Sequence, residues 1–366
     1  MRIVSCTLTR LRIPFRNAFS HAAAARHHSD AIIVSITTDE GITGFGEIQA
    51  RPYVTGENND TIWQQHAPAI AQALIGQQIR SVGDIPSVLT TAGACTLQPA
   101  CRGGFDIALH DALDVAGYVD WNALFGTRTT AASGKCMTIG DDHDDKALVR
   151  QGRFARLSRC TIVKLKVKDA SDAARIQLLR KTIGPDMQLR LDGNGQMTLD
   201  NALQLLSECH DCDIQSIEEP LPQSESLTQA LQSLHDTSGV PIVADESVCV
   251  AGDLVQFADH SAYQIINVRV GKSGGVTGCA ELTKTALDHG FGIVCGTMVG
   301  ESAVLLRISG KMLHHCAALD YVEGLDQTQT LLEAQAIERA HDLTGQHFCW
   351  HDEHLARYQT GRMHFD

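Results

Sequence analysis

The rhythm of apolar and polar positions changes about a third of the way along the chain. The opening residues MRIVSCTLTRLRIPF alternate apolar and polar, and Ile32 to Thr37 and Thr43 to Glu47 read as strands joined by a hairpin signal, Asp39-Glu40-Gly41. A helical region follows and ends in CRGGFDIALHDALDVAGYVDWNALFG, where Phe105, Leu109, Leu113 and Ala116 share one face and Gly117 supplies a stop. Residues 1–128 are therefore expected to form a small α+β unit.

Beyond it, short β-branched runs alternate with amphipathic helices punctuated by Gly or Pro, the pattern of a parallel α/β fold. The predicted strands are Cys136 to Gly140, Thr161 to Val167, Gln188 to Asn194, Ser216 to Pro220, Ile242 to Ser247, Ile265 to Val270, Gly292 to Gly296 and Leu319 to Gly324. Eight strands fit a closed barrel over residues 129–326. Between them lie helices such as SDAARIQLLRKTIGP, in which Ile176, Leu179 and Ile183 form a stripe that Gly184-Pro185 ends. Residues 327–366 are too short for a domain and are expected to return to the N-terminal unit.

Composition narrows the function. A chain of 366 residues suffices for a barrel plus a smaller domain. Thirty basic against forty-three acidic side chains, a formal charge of -13, argue against nucleic acid as partner, since phosphate binding draws on a Lys/Arg surplus. No continuous apolar segment reads as a signal peptide or a membrane span, so the chain is expected to stay in the cytoplasm. Its twelve cysteines are then expected to be reduced and packed as small apolar residues. The pair Cys209 and Cys212 lacks the second pair that a structural zinc site needs. The segment GKSGG, Gly271 to Gly275, is not a phosphate loop, because Ile266 stands where the first glycine belongs.

The candidate chemistry lies at strand ends. Lys164 and Lys166 are followed by Asp192, Glu218, Asp245 and Arg269, separated after Lys166 by 26, 26, 27 and 24 residues, one per βα unit. In a closed parallel barrel those ends converge on the face that carries active sites. Three carboxylates on consecutive strands, without His or Cys at matching positions, make a hard oxygen-donor site suited to Mg²⁺, with Mn²⁺ the alternative. Asn194, Glu219 and Glu246 neighbour these ligands and are expected to support them from behind. Lys164 and Lys166 are two apart in a strand and point the same way. Two ammonium groups beside a dication repel, which favours the neutral amine that a base requires.

These residues resemble the enolase superfamily and, within it, the muconate lactonizing enzyme subgroup, which includes dipeptide epimerases, N-acylamino acid racemases and o-succinylbenzoate synthases. The resemblance runs through residues 1 to 325 on KLK at Lys164 to Lys166, LDGN at Leu191 to Asn194, IEEP at Ile217 to Pro220, ADES at Ala244 to Ser247 and NVRVGKSGG at Asn267 to Gly275. It implies a capping domain over a modified (β/α)₇β TIM barrel, with Asp192, Glu218 and Asp245 as metal ligands, Lys166 as acid/base and Lys164 binding the substrate carboxylate. It also implies a homo-oligomer, a mobile specificity loop from Ile13 to Ser29, and a second cap loop from Arg51 to Glu57. His27, His28, Tyr53, Met298, Asp320 and Glu323 are the candidates for the pocket around a small carboxylate substrate.

The sequence departs from the subgroup at Arg269, where the family carries a second lysine. A guanidinium is a poor proton acceptor at neutral pH. One-base cycloisomerisation or β-elimination at Lys166 thus gains ground, while racemisation stays open. The acids Asp320, Glu323 and Asp326 do not reproduce the Asp-x-Asp that holds a dipeptide ammonium, and the segment Cys295 to Ser302 offers no histidine base. The expected activity is isomerisation through an enolate. The alternatives are a carboxylate dehydratase or lyase and a non-catalytic metal-binding protein.

Overall fold

The computed structural model describes residues 1–21, 24–94, 98–128, 134–140, 144–257, 262–319, 323–324 and 359–365. The N-terminal unit contributes β1 (Ile3–Leu11), the paired strands β2 (Pro14–His21) and β3 (Ala24–His28), and the hairpin β4 (Ala31–Thr38) and β5 (Thr43–Ile48). Alternation buries one face of β4 against the helices Ala67–Leu74 and Pro99–Val115, with Ile32, Val34, Ile36 and Ile48 in a core shared with Phe105, Leu109 and Leu113. The helix crosses β5 so closely that a Cβ on Gly46 would strike the backbone oxygen of Gly104.

Seven parallel strands form the second sheet: β6 (Cys136–Ile139), β7 (Ile162–Lys166), β8 (Gln188–Asp192), β9 (Ile214–Glu218), β10 (Ile242–Ala244), β11 (Ile265–Val268) and β12 (Gly292–Cys295). They are ordered in space as in sequence. The intervening helices carry their apolar stripes to the outer face, where Val163, Leu165, Leu189, Leu191 and Ile217 meet Ile176, Leu179, Ile183 and Leu205. The helix Ala173–Ile183 stops at Gly184, whose φ of 82° suits a residue without a Cβ. Of the predicted eighth strand only Leu319, Glu323 and Gly324 are described; Glu323 N donates to Cys295 O at 2.8 Å, which sets that segment beside β12. The architecture is a (β/α) barrel with an antiparallel N-terminal cap. A last strand, β13 (Gln359–Phe365), joins the cap sheet beside β1, giving the order β13-β1-β4-β5.

Carboxylates on the cap and cationic or N–H groups on the barrel hold the two together. Glu47 Oε2 accepts from Ser302 Oγ at 2.6 Å and its Oε1 from Ser302 N at 3.0 Å, at the start of the helix Ala303–His315. Asp106 accepts from Thr277 N at 3.1 Å and from Thr277 Oγ1, Asp111 pairs with Arg307, and Lys311 Nζ lies 2.6 Å from Asp114 Oδ2. Gly103 permits this approach, since a Cβ there would sit 2.8 Å from Gly275 N. Among the described residues no helix is long and apolar enough to cross a membrane.

Candidate active site

Strand register assembles the site. Lys166 pairs with Asp192 across β7 and β8, and Asp192 with Glu218 across β8 and β9, so three charged residues stand side by side at one end of the sheet. The inner positions of β7 alternate with its outer apolar ones, which directs both Lys164 and Lys166 inward. β10 is shorter than the sequence suggests and ends at Ala244, because Glu219 Oε1 takes the backbone N–H groups of Asp245 at 2.7 Å and Ser247 at 2.8 Å out of the strand pattern. β11 likewise ends at Val268, leaving Arg269 just beyond it.

Acids and bases alternate around this end of the barrel. Lys164 Nζ is 3.1 Å from Glu218 Oε1, 3.7 Å from Asp192 Oδ2 and 2.7 Å from Glu323 Oε2. Lys166 Nζ is 3.6 Å from Asp192 Oδ2 and donates to Asn194 Oδ1. Arg269 Nη2 is 3.5 Å from Glu218 Oε1 and pairs with Asp245 Oδ2, while its Nη1 lies 3.6 Å from Met298 Sδ. Asn267 Nδ2 adds a contact of 3.4 Å to Glu218 Oε1.

Burial and these neighbours set the protonation tendencies. Burial pushes the Glu218 carboxyl well up, with Asp192 and Asp245 adding to the push against Lys164. For Asp245 burial also pushes upward, but Arg269 and Lys272 outweigh it and the net direction is down. Glu246 is pushed up to about 8 by burial and by Asp245. Burial lowers Lys164, yet Glu218, Glu323 and Asp192 more than reverse it, so its net shift is upward. This corrects the expectation from lysine repulsion for Lys164: three acids surround its ammonium, and their attraction exceeds any push from Lys166.

A cavity of about 400 Å³ opens over these groups. Lys164, Lys166, Asp192 and Arg269 line it together with Asn194, Glu246, Tyr53, Met298 and Glu323. Asn194 and Glu246 thus face the cavity instead of standing behind Asp192, Glu218 and Asp245. Glu219 does stand behind, holding Ser247 Oγ at 2.8 Å and Tyr263 Oη at 3.2 Å. His27 and His28 do not line the cavity; His27 is exposed, and His28 Nε2 contacts Arg12 Nε at 2.9 Å. Asp320 lies outside the described residues. Tyr53 is set by its loop: Arg51 Nη2 donates to Val299 O at 3.1 Å, and Glu57 caps the helix Pro99–Val115 through Ala100 N and Cys101 N, both at 2.8 Å. Sequence reasoning missed the partnership of Lys164 with Glu323 and the burial of Lys272, which lies past a strand end where side-chain alternation gives no guide. The ten described cysteines are buried and in no disulfide, and burial raises the thiols of Cys101, Cys209 and Cys279.

Comparison with known proteins identifies the family and the fold. A relative in Bacillus subtilis, the L-Ala-D/L-Glu epimerase, is 26% identical over 313 residues, covering 82% of this chain and 81% of that one. The crystal structure of N-succinyl Arg/Lys racemase from Bacillus cereus superimposes with a TM-score of 0.86 at 21% identity, covering 100% of both chains. That of the dipeptide epimerase from Enterococcus faecalis, complexed with Mg and the dipeptide L-Leu-L-Tyr, does so with a TM-score of 0.81 at 23% identity, over 91% of this chain and 92% of that one. Residues 3–118 match the N-terminal domain of the mandelate racemase / muconate lactonizing enzyme family, and residues 146–357 match its enolase C-terminal domain-like partner. The chain therefore belongs to the mandelate racemase / muconate lactonizing enzyme family of the enolase superfamily, in the muconate lactonizing enzyme subgroup.

Proposed function

We propose that this chain is an Mg²⁺-dependent isomerase that removes the proton alpha to the carboxylate of a small substrate, an amino acid derivative, with Lys166 as the base. The observation that carries the reading is the row Lys166, Asp192 and Glu218 in direct register, with Lys166 and Asp192 open to the cavity. Relatives that are epimerases and a racemase support isomerisation at such a carbon.

Asp192, Glu218 and Asp245 would hold the metal. The donors suit a hard cation: all are carboxylate oxygens, and Asp245 Oδ1 is buried without accepting a hydrogen bond. Among the described residues no three acidic, His or Cys side chains are gathered tightly enough to grip an ion as they stand, because Lys164 and Arg269 bridge successive carboxylates. Those bridges must yield for the three acids to converge. Bound there, Mg²⁺ supplies neutralisation of the substrate carboxylate and of the charge that develops as the proton leaves.

The chain's own groups divide the remaining work. Lys164 offers an ammonium to the substrate carboxylate, Asn194 orients Lys166 through its Oδ1, and Lys166 takes the proton on one face. Arg269 lines the same cavity but is a guanidinium, which stabilises negative charge and accepts protons poorly. That single substitution favours a second reading, one-base cycloisomerisation or β-elimination at Lys166.

The test is alpha-proton exchange in D₂O with Mg²⁺, followed by NMR over N-acylamino acids, dipeptides and muconate-like acids. Exchange that is lost in Lys166→Ala supports the reading. Net product formation retained in Arg269→Met identifies one-base chemistry, and a product whose mass changes only by deuterium separates isomerisation from elimination. Absence of exchange across the panel with metal bound would leave a metal-binding protein without turnover.

A further inference from the structure

Asp245 is gripped on both sides of its backbone. Glu219 Oε1 takes its N–H at 2.7 Å, and from the opposite side Lys272 Nζ donates to its carbonyl oxygen and to Val248 O at 2.8 Å. The same ammonium stands 3.0 Å from Asp245 Oδ1, an ion-pair distance without hydrogen-bond alignment. Lys272 is 0% exposed and does not line the cavity. A fully buried ammonium is costly unless paired and hydrogen-bonded, and these contacts of Lys272 all fall on the short turn from Asp245 to Val248.

We infer that Lys272 is a positioning residue for metal binding: it locks the turn that carries Asp245 and so aims the carboxylate's Oδ2 toward the other two acids. The inference rests on the proposed role of Asp245 as a ligand. The physical need is local. β10 has ended at Ala244, so the Asp245 carbonyl has left the sheet ladder; within the turn it accepts from Val248 N at 3.2 Å, and Lys272 adds the charged donor that ties this carbonyl and Val248 O to the segment after β11. Lys272 N in turn donates to Arg269 O at 3.0 Å, and the bend after β11 delivers the two cations to Asp245 from one segment. Arg269 takes the Oδ2 side and Lys272 the carbonyl and the Oδ1 side.

Charge and positioning predict opposite signs, which makes the inference testable. A positive charge this close to a ligand opposes a dication, so on Coulomb grounds alone its removal tightens metal binding. Loss of positioning weakens it. The experiment is Mg²⁺ affinity by calorimetry and Mn²⁺ affinity by electron paramagnetic resonance on the full chain, with circular dichroism to confirm folding. Lys272→Met is expected to weaken both metals by about tenfold or more, and Lys272→Arg to restore part of the loss. If Lys272→Met does not fold, Lys272→Gln, which retains N–H donors without charge, carries the same expectation in smaller degree. Unchanged or tighter binding in the folded variant overturns the inference. Asp245→Asn measured alongside separates the two levels: if it weakens metal binding while Lys272→Met does not, positioning alone fails, and if it leaves affinity unchanged, the ligand role of Asp245 fails with it.

Discussion

Arg269 Nη2 pairs with Asp245 Oδ2, bringing the end of one strand onto the carboxylate of its neighbour. The same nitrogen is 3.5 Å from Glu218 Oε1, so one guanidinium spans two of the three carboxylates proposed to bind metal. A cation in that position compensates buried negative charge that otherwise carries a desolvation cost. It also competes with any ion for the same oxygens.

Arg269→Met is therefore expected to change stability and metal affinity in opposite directions. Without added metal the variant should melt at a lower temperature than the parent, because Glu218 and Asp245 lose their shared partner. With the competitor gone, Mg²⁺ should bind more tightly, by about tenfold or more, since removing a unit charge a few ångström away outweighs one factor of ten. Calorimetric titration and thermal melts with and without Mg²⁺ measure both. Equal affinities would show that Arg269 does not contend for the site.

The junction between cap and barrel gives a second expectation. Asp111 Oδ1 pairs with Arg307, both side chains buried, while its Oδ2 accepts from Phe45 N at 2.8 Å. Removing one partner of a buried pair strands the other's charge and costs about 3–5 kcal/mol. Asp111→Ala should lose that much in a denaturant titration. The double replacement Asp111→Leu with Arg307→Met should lose clearly less, because it leaves no unpaired charge.

His110 makes that junction sensitive to pH. Burial lowers its pKa, but Asp106, with Oδ1 at 3.3 Å, more than reverses the effect, so the folded value lies above the ordinary one. A raised histidine contributes stability in full below its unfolded pKa of about 6.5 and loses it as pH rises through the folded pKa. Asp106 is shifted down overall, since His110 and Thr277 outweigh burial, so its share persists above the carboxylate range and is lost only in acid. Melting temperature should accordingly fall from near pH 6 toward pH 8.5, and His110→Gln should flatten that slope. An unaltered slope in the variant would assign the pH dependence to other groups.

Why some of this was legible and some not follows from periodicity. Lys166, Asp192 and Glu218 sit within strands, where side chains alternate and register is carried from one βα unit to the next, so spacing alone placed them together. Asp245 and Arg269 fall just past strand ends, and there their mutual pairing depends on turn geometry that no repeat encodes. The helix Pro99–Val115 shows the same limit: its apolar stripe of Phe105, Leu109 and Leu113 was readable, whereas Asp106, His110 and Asp111 look like a solvated face and are buried against barrel helices. His27 and His28 were drawn in by their place in a proposed loop, but His28 is engaged by Arg12 and neither reaches the cavity.

Glu301 is a buried acid just past Thr297, Met298 and Val299, which line the cavity, and it gives the last expectation. Its Oε1 accepts from Met298 N at 2.6 Å, while Oε2 is buried without a hydrogen-bond partner. Burial pushes the carboxyl up to about 8, the Met298 N–H only partly opposing it. An acid whose folded pKa exceeds its unfolded one must take up a proton to fold at neutral pH, so it destabilises increasingly from about pH 4.3, the ordinary glutamate value, up to its folded pKa and by a constant amount beyond. Glu301→Gln keeps the shape and the carbonyl acceptor but removes that protonation cost. The variant should match the parent's melting temperature near pH 4.5 and exceed it at pH 7.5. A parent that melts higher than Glu301→Gln at pH 7.5 would mean that the carboxylate is charged and compensated in the folded chain.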